Sequence, residues 1–375
     1  MNPNSSFASP LNPSDWLKTT RTELLDGMVR EGGSAVRFLS GDDTSLDFST
    51  HHLTLDAKER GYHVVAANAG NLREDGKKFE FHLFQRLFFH VAQTIDWIDG
   101  SRGQLENELK KRGIRLPEGG LSRDDVATAD FNGITPEDLR NDYKKIVTNV
   151  ILRDHGMARE FRIALAALGR SQLISEEITP TTEDVLLNWF CGKAAPGSKA
   201  VLKNIRIYET INRANARFMF RSLAHWLPNT GKTGLVLIFD FRAYERVKRS
   251  ARDLQNERNQ QLKHLVDLGK SVTSAELSEI MSQGEISETE VYYGPGAYVQ
   301  ALEMLRHMVD DIDKLSNFLF VVLGSPAFFD DRPANGIPAR RFTDYNALQT
   351  RIGLEVQDCH RQNPSASLVH LGANL

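Results

Sequence analysis

The feature that most constrains the fold is a strand-like segment that leads through a glycine into a helix-forming segment. Residues 34–39 alternate in polarity, Gly41 follows, and residues 46–60 are compatible with a helix that stops at Gly61. Residues 62–67 then form a second apolar run of strand length. This order predicts a β-α-β unit, whose two strands lie parallel in one sheet.

Two later apolar runs have the length of buried strands. Residues 234–240 end in Asp240, and residues 317–325 end in Ser325. Strands that are buried on both faces are apolar throughout, as these are. The four runs together predict an α/β fold with a doubly wound parallel sheet and crossover helices.

The turn after the first strand occupies the position of a phosphate-binding loop. Such a loop has the pattern G-x-x-x-x-G-K-[ST], in which backbone N–H groups and the lysine hold phosphates and the hydroxyl binds magnesium. Gly41 fits, but Leu46, Asp47 and Phe48 occupy the second glycine, lysine and hydroxyl positions. At 4 Å, one charge pair contributes roughly 4 kcal/mol at an effective dielectric constant of 20, so exchanging attraction for repulsion changes the energy by about twice that amount. We therefore expect no tight binding of a nucleoside triphosphate.

The other elements of a magnesium-nucleotide site are incomplete. Asp240 stands where a magnesium carboxylate follows a strand, but the next position, often a catalytic glutamate, is Phe241. Asp240 is either a relic of such a site or a capping acid, and Ser325 either contacts an anion or caps a helix. The candidate vestigial nucleotide-site residues are Gly41, Thr44, Ser45, Asp240 and Ser325. No catalytic residue and no metal ligand is assigned, since the histidines lack metal-site spacing.

Several segments together resemble a known family. They are residues 38–41, 189–193, 212–217, 234–240, 323–331 and 344–351. Their order resembles the P-loop ATP-binding proteins of bacterial BREX phage-defence systems, of the BrxD type, which are relatives of the AAA+ and STAND ATPases. The resemblance implies a P-loop NTPase-like (AAA+-like) parallel sheet flanked by helices, and a role in antiviral defence.

The remaining sequence divides into segments of different character. A helical pattern after the second strand predicts a helical insertion, and turn signals around Gly120 and Gly133 predict an exposed lobe over residues 101–136. The predicted organisation is an N-terminal tail and helix (1–30), an α/β core (31–245) with the insertion at about 77–200, a polar helical segment (246–290), and the rest of the core with C-terminal helices (291–375).

Two groups of cations have alternative interpretations. Residues 242–263 contain seven Lys or Arg against three acids. They form either a solvated helix face or a surface for nucleic acid or an acidic partner, and this surface would include Arg246, Lys248, Arg249 and the dipeptide Ala251-Arg252. Arg340, Arg341 and Arg351 are either exposed salt-bridge partners or arginines that reach a neighbouring subunit's phosphate.

Composition restricts the compartment and the partners. A formal net charge of −3 argues against a protein dominated by nonspecific attraction to nucleic acid. Two cysteines, Cys191 and Cys359, are too few for a disulfide framework. The polar N-terminus lacks the pattern of a signal peptide, and no apolar run has the length of a membrane span. We predict a cytoplasmic protein without membrane contact.

These observations lead to one leading functional hypothesis and two alternatives. The leading one is a non-enzymatic, degenerate ATPase subunit that needs no cofactor. It acts as scaffold or regulator for other defence proteins, such as an active ATPase relative, or as a homo-oligomer. The first alternative is a nucleotide-sensing switch that binds ATP and magnesium with weak or no hydrolysis. The second is a DNA-engaging subunit of the same system.

Overall fold

A parallel five-stranded sheet organises the chain. The computed structural model describes residues 9–118, 120–121, 125–173, 180–193, 195–245, 259, 263, 291–326, 343–353 and 362–372. The strands are β1 (Ser34–Gly41), β2 (His63–Asn68), β3 (Leu235–Asp240), β4 (Phe318–Gly324) and β5 (Leu368–Leu371). Their spatial order is β2-β3-β4-β1-β5, and every pairing is parallel. The predicted α/β class with a parallel sheet is confirmed.

The central strands are buried along their whole length, which explains their apolar sequences. All six residues of β3 and all seven of β4 are buried. Alternate residues of a strand face opposite sides, so the sheet contributes to two cores. Phe239 and Phe320 lie in the larger core, whereas Ile238 and Val321 lie in the smaller one.

The smaller core is covered by the N-terminal helices. Helix α1 (Pro13–Thr19) continues as a π-helical segment (Thr20–Met28), and α2 (Asp43–Glu59) connects β1 to β2. The N-cap of α1 is Asn12, whose side chain accepts a hydrogen bond from the Ser14 N–H at 2.8 Å. Proline at the first helical position fixes that start, because Pro has no N–H to satisfy.

The described residues between β2 and β3, which we call the helical segment, are rich in helix, as expected for the predicted insertion. The helices are α3 (Phe84–Ala92), α4 (Trp97–Lys111), α5 (Asp125–Asn132), α6 (Pro136–Ile146) with a π-helical extension (Val147–Leu152), α7 (Arg159–Leu173), α8 (Pro180–Phe190), α9 (Ser198–Asn204) and α10 (Ala216–Trp226). After β3 come α11 (Arg242–Glu245), α12 (Pro295–Asp310) and α13 (Thr343–Gly353).

The helical segment shares the larger core with the sheet. The Trp97 ring stacks at 3.8 Å from Phe190 and at 5.3 Å from Trp226, measured between ring centroids. The Trp226 indole N–H donates to the side-chain oxygen of Gln104 at 2.9 Å. The prediction of an exposed lobe over residues 101–136 is therefore wrong for α4. Gly120 and Gly133 mark turns with positive φ, whereas one face of α4 is buried.

Two further expectations can be compared with the fold. Strand β5 was not predicted, since it has only four residues and is recognisable only by its pairing with β1. The predicted polar helical segment at 246–290 lies outside the described residues, apart from Asn259 and Lys263. In the described part of the chain, no helix combines the length and apolarity needed to cross a membrane.

We expect Gly41→Ala to destabilise the protein. A Cβ built on Gly41 would lie 2.6 Å from the Leu371 carbonyl oxygen, so β1 and β5 would have to separate. Overpacking of this kind costs about 1–3 kcal/mol, measurable as a lower free energy of unfolding in urea. The matched control is Gly296→Ala in α12, where nothing lies within 4 Å. The control should be neutral or stabilising by less than about 1 kcal/mol. Equal stability of the two variants would contradict this role of Gly41.

Candidate functional site

The candidate site lies where the parallel strands end. Gly41 and Asp240 are the last residues of β1 and β3, and Ser325 follows β4. Ligands of open parallel sheets bind outside these carboxyl ends. The fold therefore brings three of the predicted site residues to one edge of the sheet.

The connection from β1 to α2 is too short to form a phosphate-binding loop. Strand β1 ends at Gly41 and α2 begins at Asp43, so Asp42 alone separates them. Leu46 donates its N–H to the Asp42 carbonyl oxygen at 3.0 Å, within the first turn of the helix. Residues 43–48 thus form helix where a phosphate-binding loop would surround phosphates. Gly41 itself is a sheet residue whose partner is Leu371.

The start of α2 already carries a carboxylate from its own chain. The Asp42 side chain accepts hydrogen bonds from the N–H and the hydroxyl of Ser45, both at 2.8 Å. These bonds, the backbone one foremost, hold the pKa of Asp42 below its usual value. A helix N-terminus favours an anion, and here that anion is Asp42. The Ser45 hydroxyl is engaged by it, and Thr44 is exposed in the first turn.

Arg242 occupies the space between α2 and the end of β3. Its Nε lies 3.0 Å from Asp240 Oδ1 and its Nη2 lies 2.8 Å from Asp240 Oδ2, a bidentate pair. Nη2 also lies 3.0 Å from Asp47 Oδ1, and Nη1 contacts Asp43. The aspartate at the lysine position of the motif is thus bound to the strand-end aspartate through one guanidinium. We call Asp43, Asp47, Asp240 and Arg242 the Arg242 cluster.

The electrostatics of the Arg242 cluster favour the internal ion pairs. The side chains of Arg242 and Asp240 are only 14% and 10% exposed, whereas those of Asp43 and Asp47 are 78% and 68% exposed. Burial is the largest single influence and opposes the charge of Arg242. The hydrogen bonds and the charge of Asp240, together with the bonds to Asp47 and Asp43, outweigh it and raise the pKa of the guanidinium above its ordinary value. Three carboxylates surround one cation, so the cluster carries a formal charge of −2. It repels a polyphosphate.

A second buried carboxylate engages Ser325. Glu245, at the end of α11, accepts hydrogen bonds from the Ser325 N–H at 2.7 Å and from its hydroxyl at 2.8 Å. The Ser325 carbonyl oxygen accepts a bond from the Ser40 hydroxyl at 2.9 Å. Burial raises the pKa of Glu245 to about 7, although the bonds from Ser325 act in the opposite direction. Ser325 therefore connects β1, β4 and α11.

Phe241 contributes to the core at the position where a catalytic glutamate would stand. Its ring is fully buried, with its centroid 5.5 Å from that of Tyr244 and 5.6 Å from that of Tyr298. The backbone after β3 thus directs residue 241 into the larger core, while Glu245 reaches the strand ends. Among the described residues, no group of three His, Cys, Asp or Glu side chains is arranged to hold a metal ion.

The predicted cationic residues have different outcomes. Arg351 lies 2.8 Å from Asp310 on α12 and is about half exposed, so it forms a salt bridge within its own chain. Arg340 and Arg341 lie outside the described residues, as do Arg246, Lys248, Arg249 and Ala251-Arg252. Their predicted roles remain predictions.

Sequence reasoning overlooked the central residue of the site. From sequence, Arg242 is only the first cation of a basic helical pattern. Its position two residues after the strand-end Asp240 is the signal that could have indicated an ion pair between the two. Asp42 was overlooked as well, because the motif comparison placed it inside a loop. Comparison of the chain with protein-family models, curated proteins and solved structures gave no match.

We expect Arg242→Met to lower the free energy of unfolding by about 3 kcal/mol, because Asp240 would be left buried without its counter-ion. Asp43→Asn serves as control and should cost less than about 1 kcal/mol, since that carboxylate is exposed. Adding Asp240→Asn to Arg242→Met should recover part of the loss. Urea unfolding of the four proteins gives the comparison. If Arg242→Met and Asp43→Asn lowered the free energy of unfolding equally, the buried Arg242–Asp240 pair would stabilise the protein no more than an exposed pair does.

Glu245 predicts a pH dependence of stability. Its pKa rises from 4.5 in the unfolded chain to about 7 in the folded protein, so the folded state retains a proton that the unfolded state releases between these values. The free energy of unfolding should therefore fall as pH rises from 4.5 to 7 and then level off, by about 3 kcal/mol in total. In Glu245→Gln this component should be absent. Thermal melting from pH 5 to pH 8 tests it, and parallel profiles for both proteins would refute it.

Proposed function

We propose that this protein is a degenerate ATPase-like subunit of a bacterial anti-phage defence system. It acts as a scaffold or regulator of a partner protein and does not turn over nucleotide. The observation that carries the proposal is the Arg242 cluster, in which Arg242 occupies the space between Asp47 and Asp240. A nucleotide bound there would have to displace a bidentate, mostly buried ion pair and then face three carboxylates.

The fold supports an ATPase-like ancestry for this site. A strand that ends in a glycine leads directly into a helix, and an aspartate ends a second strand of the same sheet. The strand order β5-β1-β4-β3-β2 is compatible with the AAA+-like sheet that the resemblance implies. It differs from the two common doubly wound orders, 3-2-1-4-5-6 and 2-1-3-4-5.

The role in phage defence rests on the resemblance to BREX proteins of the BrxD type. The segments that carry it include residues 189–193, and their structure is informative. The Trp189 indole N–H donates to the Glu209 carbonyl oxygen at 3.1 Å, and Phe190 belongs to the aromatic stack with Trp97. Trp189 and Phe190 thus stabilise the packing of the helical segment. A resemblance to the BREX proteins at these positions therefore supports a common fold more directly than a common reaction.

We expect no binding of ATP with magnesium by isothermal titration, and no hydrolysis, because the site lacks a loop and carries net negative charge. ATP binding with a micromolar dissociation constant that is lost in Asp240→Ala would instead support the nucleotide-sensing switch.

Plaque counts test the proposed role in phage defence in the cell. Deleting the gene from its locus should abolish protection against phage, whereas Asp240→Asn should retain it, because no magnesium carboxylate is needed. If a folded Asp240→Asn protein no longer protected the cell, the proposal that the protein works without a magnesium-bound nucleotide would be refuted.

A further inference from the structure

A groove in the helical segment concentrates positive charge. It has a volume of about 640 Å³ and lies between α7, the residues after α9 and the end of the π-helical extension of α6. Its described lining contains Arg159, Arg162, Arg170 and Arg206 and no acidic side chain. Between the guanidinium groups the floor is apolar and includes Ile163 and Ala166.

The arginines of this groove are poorly neutralised by the described part of the chain. Arg170 and Arg206 are exposed and form no ion pair with a described residue. Arg162 donates to the Leu152 carbonyl oxygen at 2.8 Å, but its Nε is buried and has no hydrogen-bond partner among the described residues. Arg159 forms an ion pair with its neighbour Glu160, at 3.2 Å. The groove therefore presents positive charge that an anionic ligand could neutralise.

Arg206 has a backbone conformation that glycine adopts more easily than arginine. Arg206 has φ of +66°, a left-handed conformation that follows the end of α9. Glycine is the usual residue at such a position, and a side chain there costs strain. Strain of this kind is found at functional sites. Here it directs a fourth guanidinium to the groove.

An exposed aromatic ring lies next to the arginines. The Arg159 guanidinium lies 5.9 Å from the centre of the Tyr208 ring, and Tyr208 is 60% exposed. Proteins that bind single strands combine cationic grooves for phosphates with aromatic rings and guanidinium planes on which bases stack. The volume of the groove is also too large for a lone phosphate group and falls in the range of organic-ligand sites.

We propose that this groove binds single-stranded nucleic acid, with Arg162, Arg170 and Arg206 contacting phosphates and Tyr208 stacking on a base. The site is separate from the Arg242 cluster, so it does not depend on the proposed function. Neither site shares a residue with the other, and variants of one leave the other intact.

Fluorescence polarisation with a labelled oligothymidine of about 12 nucleotides tests the proposal. Three neutralised phosphates predict a slope of log K against log salt of about −2, or a roughly 16-fold loss of affinity between 50 and 200 mM KCl. Arg170→Glu combined with Arg206→Glu should weaken binding more than about tenfold and reduce the slope to about −0.7. Arg159→Ala and Tyr208→Ala should weaken it without a large change of slope.

The matched control reverses two exposed lysines on the other side of the sheet. Lys18→Glu with Lys58→Glu changes the net charge equally, and its affinity should stay within about twofold of the wild type. Thermal melting checks that each variant folds. Four outcomes would overturn the proposal: no binding by the wild type at 50 mM KCl, equal losses in both double variants, tighter binding of a duplex of the same length, or displacement of the oligonucleotide by micromolar ATP.

Discussion

The ion pair between Arg242 and Asp240 is the interaction on which the carboxyl edge of the sheet depends. Asp240 ends a strand that is buried along its whole length, so its carboxylate needs a partner close to the strand end. Arg242 is two residues away and satisfies both carboxylate oxygens, and its remaining N–H groups reach α2. One guanidinium thereby connects β3 to the helix that follows β1. The carboxylate of Asp240 is thereby neutralised by a contact within the chain.

Two further carboxyl groups at the same edge of the sheet, those of Asp42 and Glu245, also bind groups of their own chain. Asp42 caps α2, and Glu245 accepts both polar hydrogens of Ser325. These polar groups at the carboxyl edge of the sheet are directed at other parts of the chain. The helical segment shares its core with the sheet, as the stack around Trp97 shows. The sheet edge, neutralised from within the chain, and the cationic groove of the helical segment are therefore two electrostatically different surfaces of one protein.

Much of the fold could be predicted from local sequence. The apolar runs that became β3 and β4 are buried on both faces, and their apolar composition and strand length predicted strands, although a short apolar run is also compatible with a buried helix. Gly61 ended α2 as predicted, since it adopts a positive φ of +79°. Strand β5 escaped prediction because four residues carry too little periodicity, and pairing with β1 decides their conformation. The burial of α4 was likewise hidden, because turn signals in the surrounding sequence suggested exposure while its apolar face has long-range partners.

The sequence by itself determined that residues 41–48 do not match the phosphate-binding pattern. Asp47 puts a negative charge at the lysine position, and Phe48 leaves the next position without a hydroxyl. It also determined that parallel strands surround that segment. Only the tertiary structure decided how the unusual charges are compensated. The pairing of Arg242 with Asp43 and Asp47 joins residues 195 or more positions apart. In the groove, Arg206, which follows α9, lies beside arginines of α7. Such contacts depend on crossover connections and side-chain directions that no local pattern contains.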